Sequence, residues 1–215
     1  MNLPTKPLAL KSGRRVLLAT LAAALLSSAC APLVLGGAMV GGALMATDRR
    51  TSGTQLEDQG IELKAGSRIR EQLGDRVHVS LNSYNRLVLI TGEASSEADR
   101  MLLTTIVSGV ENVQRVLNET AVMGNSSLGS RSNDVLIATK IRANLVDARD
   151  LISNAFYVVV ERGDVFIMGR VSEREAIRAV EITRGVSGVK KVVRAFEILS
   201  EDELARIVPK PALVK

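Results

Sequence analysis

Few side chains in this sequence could do covalent, acid–base or metal chemistry, and their surroundings narrow the choice. His78 is the only imidazole of the 215 residues and Cys30 the only thiol. A zinc site needs three or four clustered ligands, and His78 has no second histidine or cysteine to complete a set. It falls on the outward side of a predicted strand and reads as a solvent-facing residue. Glu173 and Glu175 have the spacing of paired carboxylates. They also belong to Ser172-x-x-Glu175, a capping box, and acids in a first helical turn complement the helix dipole. Gly185-Val186-Ser187-Gly188 matches the GxxG of loops that clamp a nucleic-acid backbone. Here the glycines join a predicted helix to a strand, and the matching stretch earlier in the chain is Gly109-Val110-Glu111-Asn112. The reading is a protein that is not an enzyme, with no catalytic residue, no metal and no cofactor.

Cys30 is different, because its position suggests acylation. Lys6, Lys11, Arg14 and Arg15 precede an apolar run from Val16 to Leu26, and Ser27-Ser28-Ala29 lead to the cysteine. Eleven apolar residues are too few to cross a bilayer but suit a cleaved export signal, here residues 1–29. Leu26-Ser27-Ser28-Ala29-Cys30 resembles a bacterial lipobox, whose cysteine is diacylated and becomes the new N-terminus. Ser27 stands where a lipobox usually has leucine, with Leu26 one place further back. Ala31 follows, where lipoproteins held in the inner membrane typically carry Asp, so outer-membrane sorting is expected. Residues 30–54 contain Gly36-Gly37 and Gly41-Gly42, pairs that weaken a helix by about 1 kcal/mol per residue, and read as a tether near the bilayer.

Charge argues against a nucleic-acid partner. The net charge is +5, but four basic residues lie in the acid-free first 29, which leaves 24 basic against 23 acidic residues. Long-range attraction to polyanions scales with clustered basic surface, so a nearly neutral exported chain is a poor candidate for tracking a phosphate backbone. Aromatic residues are only Tyr84, Phe156, Tyr157, Phe166 and Phe196, so the core must be mainly aliphatic.

The rest of the chain is written twice. Arg68-Ile69-Arg70 with Leu73 returns as Lys140-Ile141-Arg142 with Leu145, and Leu87 to Gly92 returns as Asp164 to Gly169. Gly109-Val110, Val113 and Val116 return as Gly185-Val186, Val189 and Val192. The first offset is seventy-two and the second seventy-seven, which implies about five extra residues near Ala148 to Asn154 in the second copy. Period and turn chemistry give each copy the same order. A helix comes first, with Ser132-Asn133-Asp134 offering N-cap oxygens in copy two; a hairpin follows, then a helix opened at Ser96 or Ser172. The last strands are Val113 to Val122 and Val189 to Leu199. This is αββαβ, and its β-helix-β crossover favours a mixed three-stranded sheet under two helices. The expected fold is α+β: one domain at 55–123, a Gly/Ser linker at 124–131, a second domain at 132–200 and a tail at 201–215.

The helix Asp134 to Asp147 has an unusual wheel. Ile137, Ala138, Ile141 and Leu145 make one stripe for the sheet. The opposite side should be polar, but carries Val135, Leu136, Thr139, Ala143 and Val146, flanked by Lys140 and Arg142, with Arg149 just beyond. Shifted by seventy-two, copy one has Leu63, Lys64, Ser67, Glu71 and Gly74, a mostly polar face. An apolar face edged with cations suits an anionic lipid surface. Two other occupants fit it: the first domain of this chain, or an envelope protein held by the same helix.

Thr47-Asp48-Arg49-Arg50, Val165-Phe166-Ile167-Met168-Gly169 with Ser172-Glu173-Arg174-Glu175, and Val186-Ser187-Gly188-Val189-Lys190 resemble tandem BON-domain outer-membrane lipoproteins. The likeness spans nearly all of the chain after the signal except its tail, and is most specific in the second copy. It implies a periplasm-facing lipoprotein that supports outer-membrane integrity and gathers at division sites. It also implies that the second domain binds anionic phospholipid such as phosphatidylglycerol or cardiolipin. Mass spectrometry of the mature N-terminus is expected to show a diacylated Cys30; an intact Met1 or a bare Cys30 thiol rejects the anchor.

Overall fold

The computed structural model describes residues 48–124 and 128–207; Cys30, the expected signal and most of the expected tether lie outside them. Thr51 opens helix α1 (Ser52–Leu73) by accepting the Thr54 N–H on its side chain. A short 3-10 turn, Gly74–Arg76, leads into an antiparallel hairpin of β1 (Val77–Tyr84) and β2 (Leu87–Ala94). Ser96 caps α2 (Glu97–Ser108), which returns the chain so that β3 (Arg115–Asn118) and β4 (Ala121–Val122) run parallel to β2. The second domain repeats this with α3 (Leu128–Asp147), β5 (Tyr157–Glu161), β6 (Asp164–Val171), α4 (Glu173–Arg184) and β7 (Lys191–Ile198). Strand β5 pairs antiparallel and β7 parallel with the central β6. Two tandem α+β domains with separate mixed sheets therefore stand as expected. The capping box at Ser172 and Glu175 forms in full.

Four details differ from the sequence reading. The third strand of the first domain is broken at Glu119-Thr120, where the Asn118 carboxamide accepts the Thr120 N–H and donates to Arg100 O and Thr104 Oγ1. Helix α3 begins at Leu128, inside the expected linker, so Asp134 is not its cap. The expected tail forms a short helix, α5 (Glu201–Ile207), with Leu204 buried. The repeat offset also changes. Asp58 accepts the N–H groups of Asn85 and Arg86 at the first hairpin turn, and Asp134 accepts those of Arg162 and Gly163 at the second. Ile61, Ala65 and Ile69 are buried as Ile137, Ile141 and Leu145 are. The opening helices thus correspond at seventy-six, close to the seventy-seven of Gly92 and Gly169, so the five-residue insertion shrinks to one, and α1 runs two residues further than α3. Sliding an amphipathic helix by four residues rotates its pattern by only about 40°, so apolar spacing alone could not separate the two registers.

Each domain has its own aliphatic core. Ile61, Ile69, Val88, Ile90, Leu103 and Val107 fill the first. Ile137, Ile141, Leu145, Val165, Ile167 and Ala179 fill the second, where Phe156 and Phe196 meet edge to face at 6.2 Å. The other faces of the two sheets pack on each other. Leu87, Leu89 and Tyr84 from the first domain meet Phe166, Met168 and Ala195 from the second, leaving the helices on the outside.

Polar contacts close this interface. Arg162 donates to Glu93 at 2.8 Å, and Asn85 donates to Glu197. The segment before α1 bridges both domains. Arg49, only 6% exposed, makes a bidentate pair with Glu175 at 2.7 and 2.8 Å and donates to Arg170 O. Arg50 pairs with Asp48 and Asp58 and lies 4.1 Å over the Tyr84 ring. Burial raises the Glu175 carboxyl, but hydrogen bonds from Arg49 and the Ser172 N–H outweigh it and hold the group below the ordinary carboxylate range.

Gly92 sits mid-strand with φ of 112°, and a Cβ there would run into the His78 carbonyl oxygen. Gly92→Ala is expected to cost at least about 1–3 kcal/mol and lower the Tm; an unchanged Tm rejects the close approach. Glu175→Gln, which strands a buried guanidinium, should cost about 3–5 kcal/mol in denaturant unfolding. Because the folded carboxyl is depressed, its contribution is present above the unfolded pKa and lost as pH falls through the folded one. Arg49→Met should therefore flatten the acid side of the stability profile.

Candidate functional site

Helix α3 turns its two faces as the wheel requires. Ile137, Ala138, Ile141 and Leu145 are buried, whereas Val135, Leu136 and Val146 are 65%, 59% and 67% exposed. Thr139 and Ala143 lie on the same exposed side. The Thr139 hydroxyl donates to Val135 O at 2.8 Å, so its polarity is spent on the helix and its methyl adds to the apolar surface. The contact between domains runs through the sheets, and these residues take no part in its cluster.

The cations are placed less evenly than the wheel suggests. Lys140 is exposed at the edge of the face, with no ion pair among the described residues. Arg149 is exposed in the loop two residues past the helix. Arg142 instead bends toward its own sheet and donates to Val158 O at 2.8 Å. It lines a polar groove shared with His78, Ser80, Asn82 and Tyr157, and Tyr157 donates to Asn82 across it.

With the corrected offset, the counterparts of Val135, Leu136, Thr139, Ala143 and Val146 are Gln59, Gly60, Leu63, Ser67 and Arg70. Leu63 is 74% exposed but stands among polar residues and glycine, so the contrast between the domains survives the new register. Sequence reasoning missed Asp58 and Asp134, which tie each opening helix to its hairpin. At seventy-six they align as identical residues, which was the available signal.

The remaining candidates occupy structural positions. His78 is exposed on β1. Glu173 pairs with Arg194, whereas Glu175 holds Arg49 and the α4 cap, so the two carboxylates do not converge. Among the described residues no group of three or more His, Cys, Asp or Glu could hold a metal ion.

Two stretches, 58–124 and 133–200, each match the BON domain model. The chain belongs to the BON family. It is 33% identical over 199 residues to the outer membrane lipoprotein DolP of Haemophilus influenzae, an alignment covering 91% of this chain and 97% of that protein. It is 29% identical over 151 residues to the 21 kDa hemolysin of Actinobacillus pleuropneumoniae, covering 69% of this chain and 78% of the other. Among solved structures, the C-terminal domain of CdsD, from the type III secretion system of Chlamydia trachomatis, aligns with 64% of this chain and 96% of its own. Its identity is 10% and its TM-score 0.28, too slight to carry an inference. The relationship to the dual-BON lipoproteins makes this an envelope protein of the outer membrane, lipid-anchored and facing the periplasm. No helix among the described residues is long and apolar enough to cross a membrane.

Proposed function

We propose that the second BON domain binds anionic phospholipid through the outer face of α3, and that Cys30 carries the acyl anchor that holds the chain at the same membrane. The observation that carries this reading is the exposure of Val135, Leu136 and Val146 together on a helix whose opposite stripe already fills the core. Packing by the first domain, one rival occupant, uses the sheets instead. An exposed apolar strip of this kind suits the boundary between headgroups and acyl chains.

The energetics favour shared contributions. Lys140 and Arg149 near an anionic surface supply about 1 kcal/mol each. Leu136 and Val135 add up to roughly 1.5–3 kcal/mol apiece if fully buried in lipid. Arg142 contributes less than its position on the wheel suggests, because its guanidinium is engaged by Val158. The domain is a binding module rather than a catalyst in this reading. Its part in outer-membrane integrity and at division sites is proposed on family resemblance alone.

Vesicles containing phosphatidylglycerol or cardiolipin should bind the unacylated protein, neutral vesicles much less, and added salt should weaken the contact. Leu136→Glu should abolish binding with the Tm unchanged, since the side chain points away from the core. Full binding by a folded Leu136→Glu protein rejects the assignment. Failure of the unsubstituted protein to bind any protein-free vesicle would leave an envelope protein as the occupant of this face.

A further inference from the structure

In the first domain, the corner where α1 meets the loop between α2 and β3 is closed by a carboxylate. Glu111 accepts from Lys64 Nζ at 3.3 Å and from Arg68 Nη2 at 3.1 Å, while Arg68 Nη1 donates to Gly109 O at 2.6 Å. Its carboxyl is held below the ordinary range first by its own main-chain N–H and then by Lys64. An anion therefore already sits between its own loop amide and two helix cations. The loop turns at Asn112, whose φ is 68°.

The second domain keeps the corner and removes the carboxylate. Gly188, with φ of 98°, takes the place of Asn112, and Ile137 of α3 rests beneath it. At the offset of seventy-six, Lys140 stands for Lys64, Ser187 for Glu111, Arg184 for Ser108 and Lys190 for Gln114; Asn144 replaces Arg68. The formal charge of these five positions rises from +1, from Lys64, Arg68 and Glu111, to +3, from Lys140, Arg184 and Lys190. All three cations and Ser187 are exposed. The Lys190 stem lies along Gly163 at the hairpin turn that Asp134 of α3 caps. Lys140 is one helical turn from Leu136, so a headgroup held at Lys140 leaves its acyl chains beside the apolar face.

We propose that this corner takes the phosphodiester of an anionic phospholipid headgroup, held by Lys140, Lys190, the Ser187 hydroxyl and the Ser187 and Gly188 N–H groups, so that the phosphodiester stands where the Glu111 carboxylate sits in the first domain. The proposal rests on the lipid-binding reading of α3 and adds a headgroup site to it. Ser187 acts as the gate: a carboxylate at this position fills the site from within.

Amide NMR of the unacylated protein, titrated with water-soluble glycerophosphoglycerol, should shift Ser187, Gly188 and Lys190. Ser187→Glu, which recreates the side chain the first domain accommodates, should abolish those shifts and weaken phosphatidylglycerol-vesicle binding about tenfold. Leu136→Glu should lose the vesicles yet keep the headgroup shifts. Undiminished vesicle binding by Ser187→Glu, or no shift in the loop while vesicles still bind, overturns the headgroup site and leaves the α3 reading standing. Equal shifts from inorganic phosphate at the same concentration overturn the assignment to a lipid. Absence of vesicle binding by the unsubstituted protein is instead the failure of the α3 reading itself.

Discussion

The structure depends on one geometric constraint: a small sheet has two faces, and each αββαβ unit has helices for only one. Every residue of β2 is buried, and β6 is buried over nearly all of its length. Val88 and Ile90, or Val165 and Ile167, face the domain's own helices; Leu87 and Leu89, or Phe166 and Met168, face away from them. Left alone, a domain of about seventy residues would expose these side chains, each worth about 1.5–3 kcal/mol when fully buried. The second copy removes that exposed surface by presenting the same kind of face. Duplication here completes the fold.

Packing sheet against sheet fixes where function can lie. With the sheets inside, the four long helices of the described residues are on the outside, and their outer faces are the surfaces free to diverge. The two cores use equivalent positions, Ile61 and Ile137 among them, whereas the outward residues differ in polarity where Gln59, Gly60 and Arg70 stand opposite Val135, Leu136 and Val146. The pairs at the rim of the interface, Arg162 with Glu93 and Arg49 with Glu175, are desolvated on at least one side. Such pairs add little net stability over apolar groups but penalise any misaligned docking, because a shifted register strands a buried charge. They therefore set orientation as much as affinity.

Much of this was legible in the sequence, for reasons that can be named. The capping residues Ser96 and Ser172 bond to their own helix within three residues, so local pattern is sufficient for them. The exposed face of α3 was legible because the buried stripe was clear and the remainder was unexpectedly apolar. Helical register was not, since a shift of one turn nearly preserves a stripe, and local pattern offers Asp134 only as a cap because its true partners, the Arg162 and Gly163 amides, lie twenty-eight and twenty-nine residues away. Arg142 misled in the same way: its wheel position was right, but the Val158 carbonyl that captures it belongs to another element. The role of Arg49 was beyond pattern altogether, as its partner is 126 residues distant.

The weakness of the proposed lipid contact is consistent with an anchored protein. With Cys30 as the anchor, seventeen residues lie between it and Asp48, where the described body begins, and so short a chain spans at most about 65 Å when fully extended. A domain confined within that reach of the bilayer experiences an effective concentration of surface in roughly the millimolar range. Under that confinement a contact of a few kcal/mol is occupied much of the time yet released quickly. A stronger face would be redundant for attachment. What the proposed α3 contact would add is orientation and lipid preference: it would select which side of a tethered body meets the membrane, and the cations at its edge would favour anionic regions of that membrane over neutral ones.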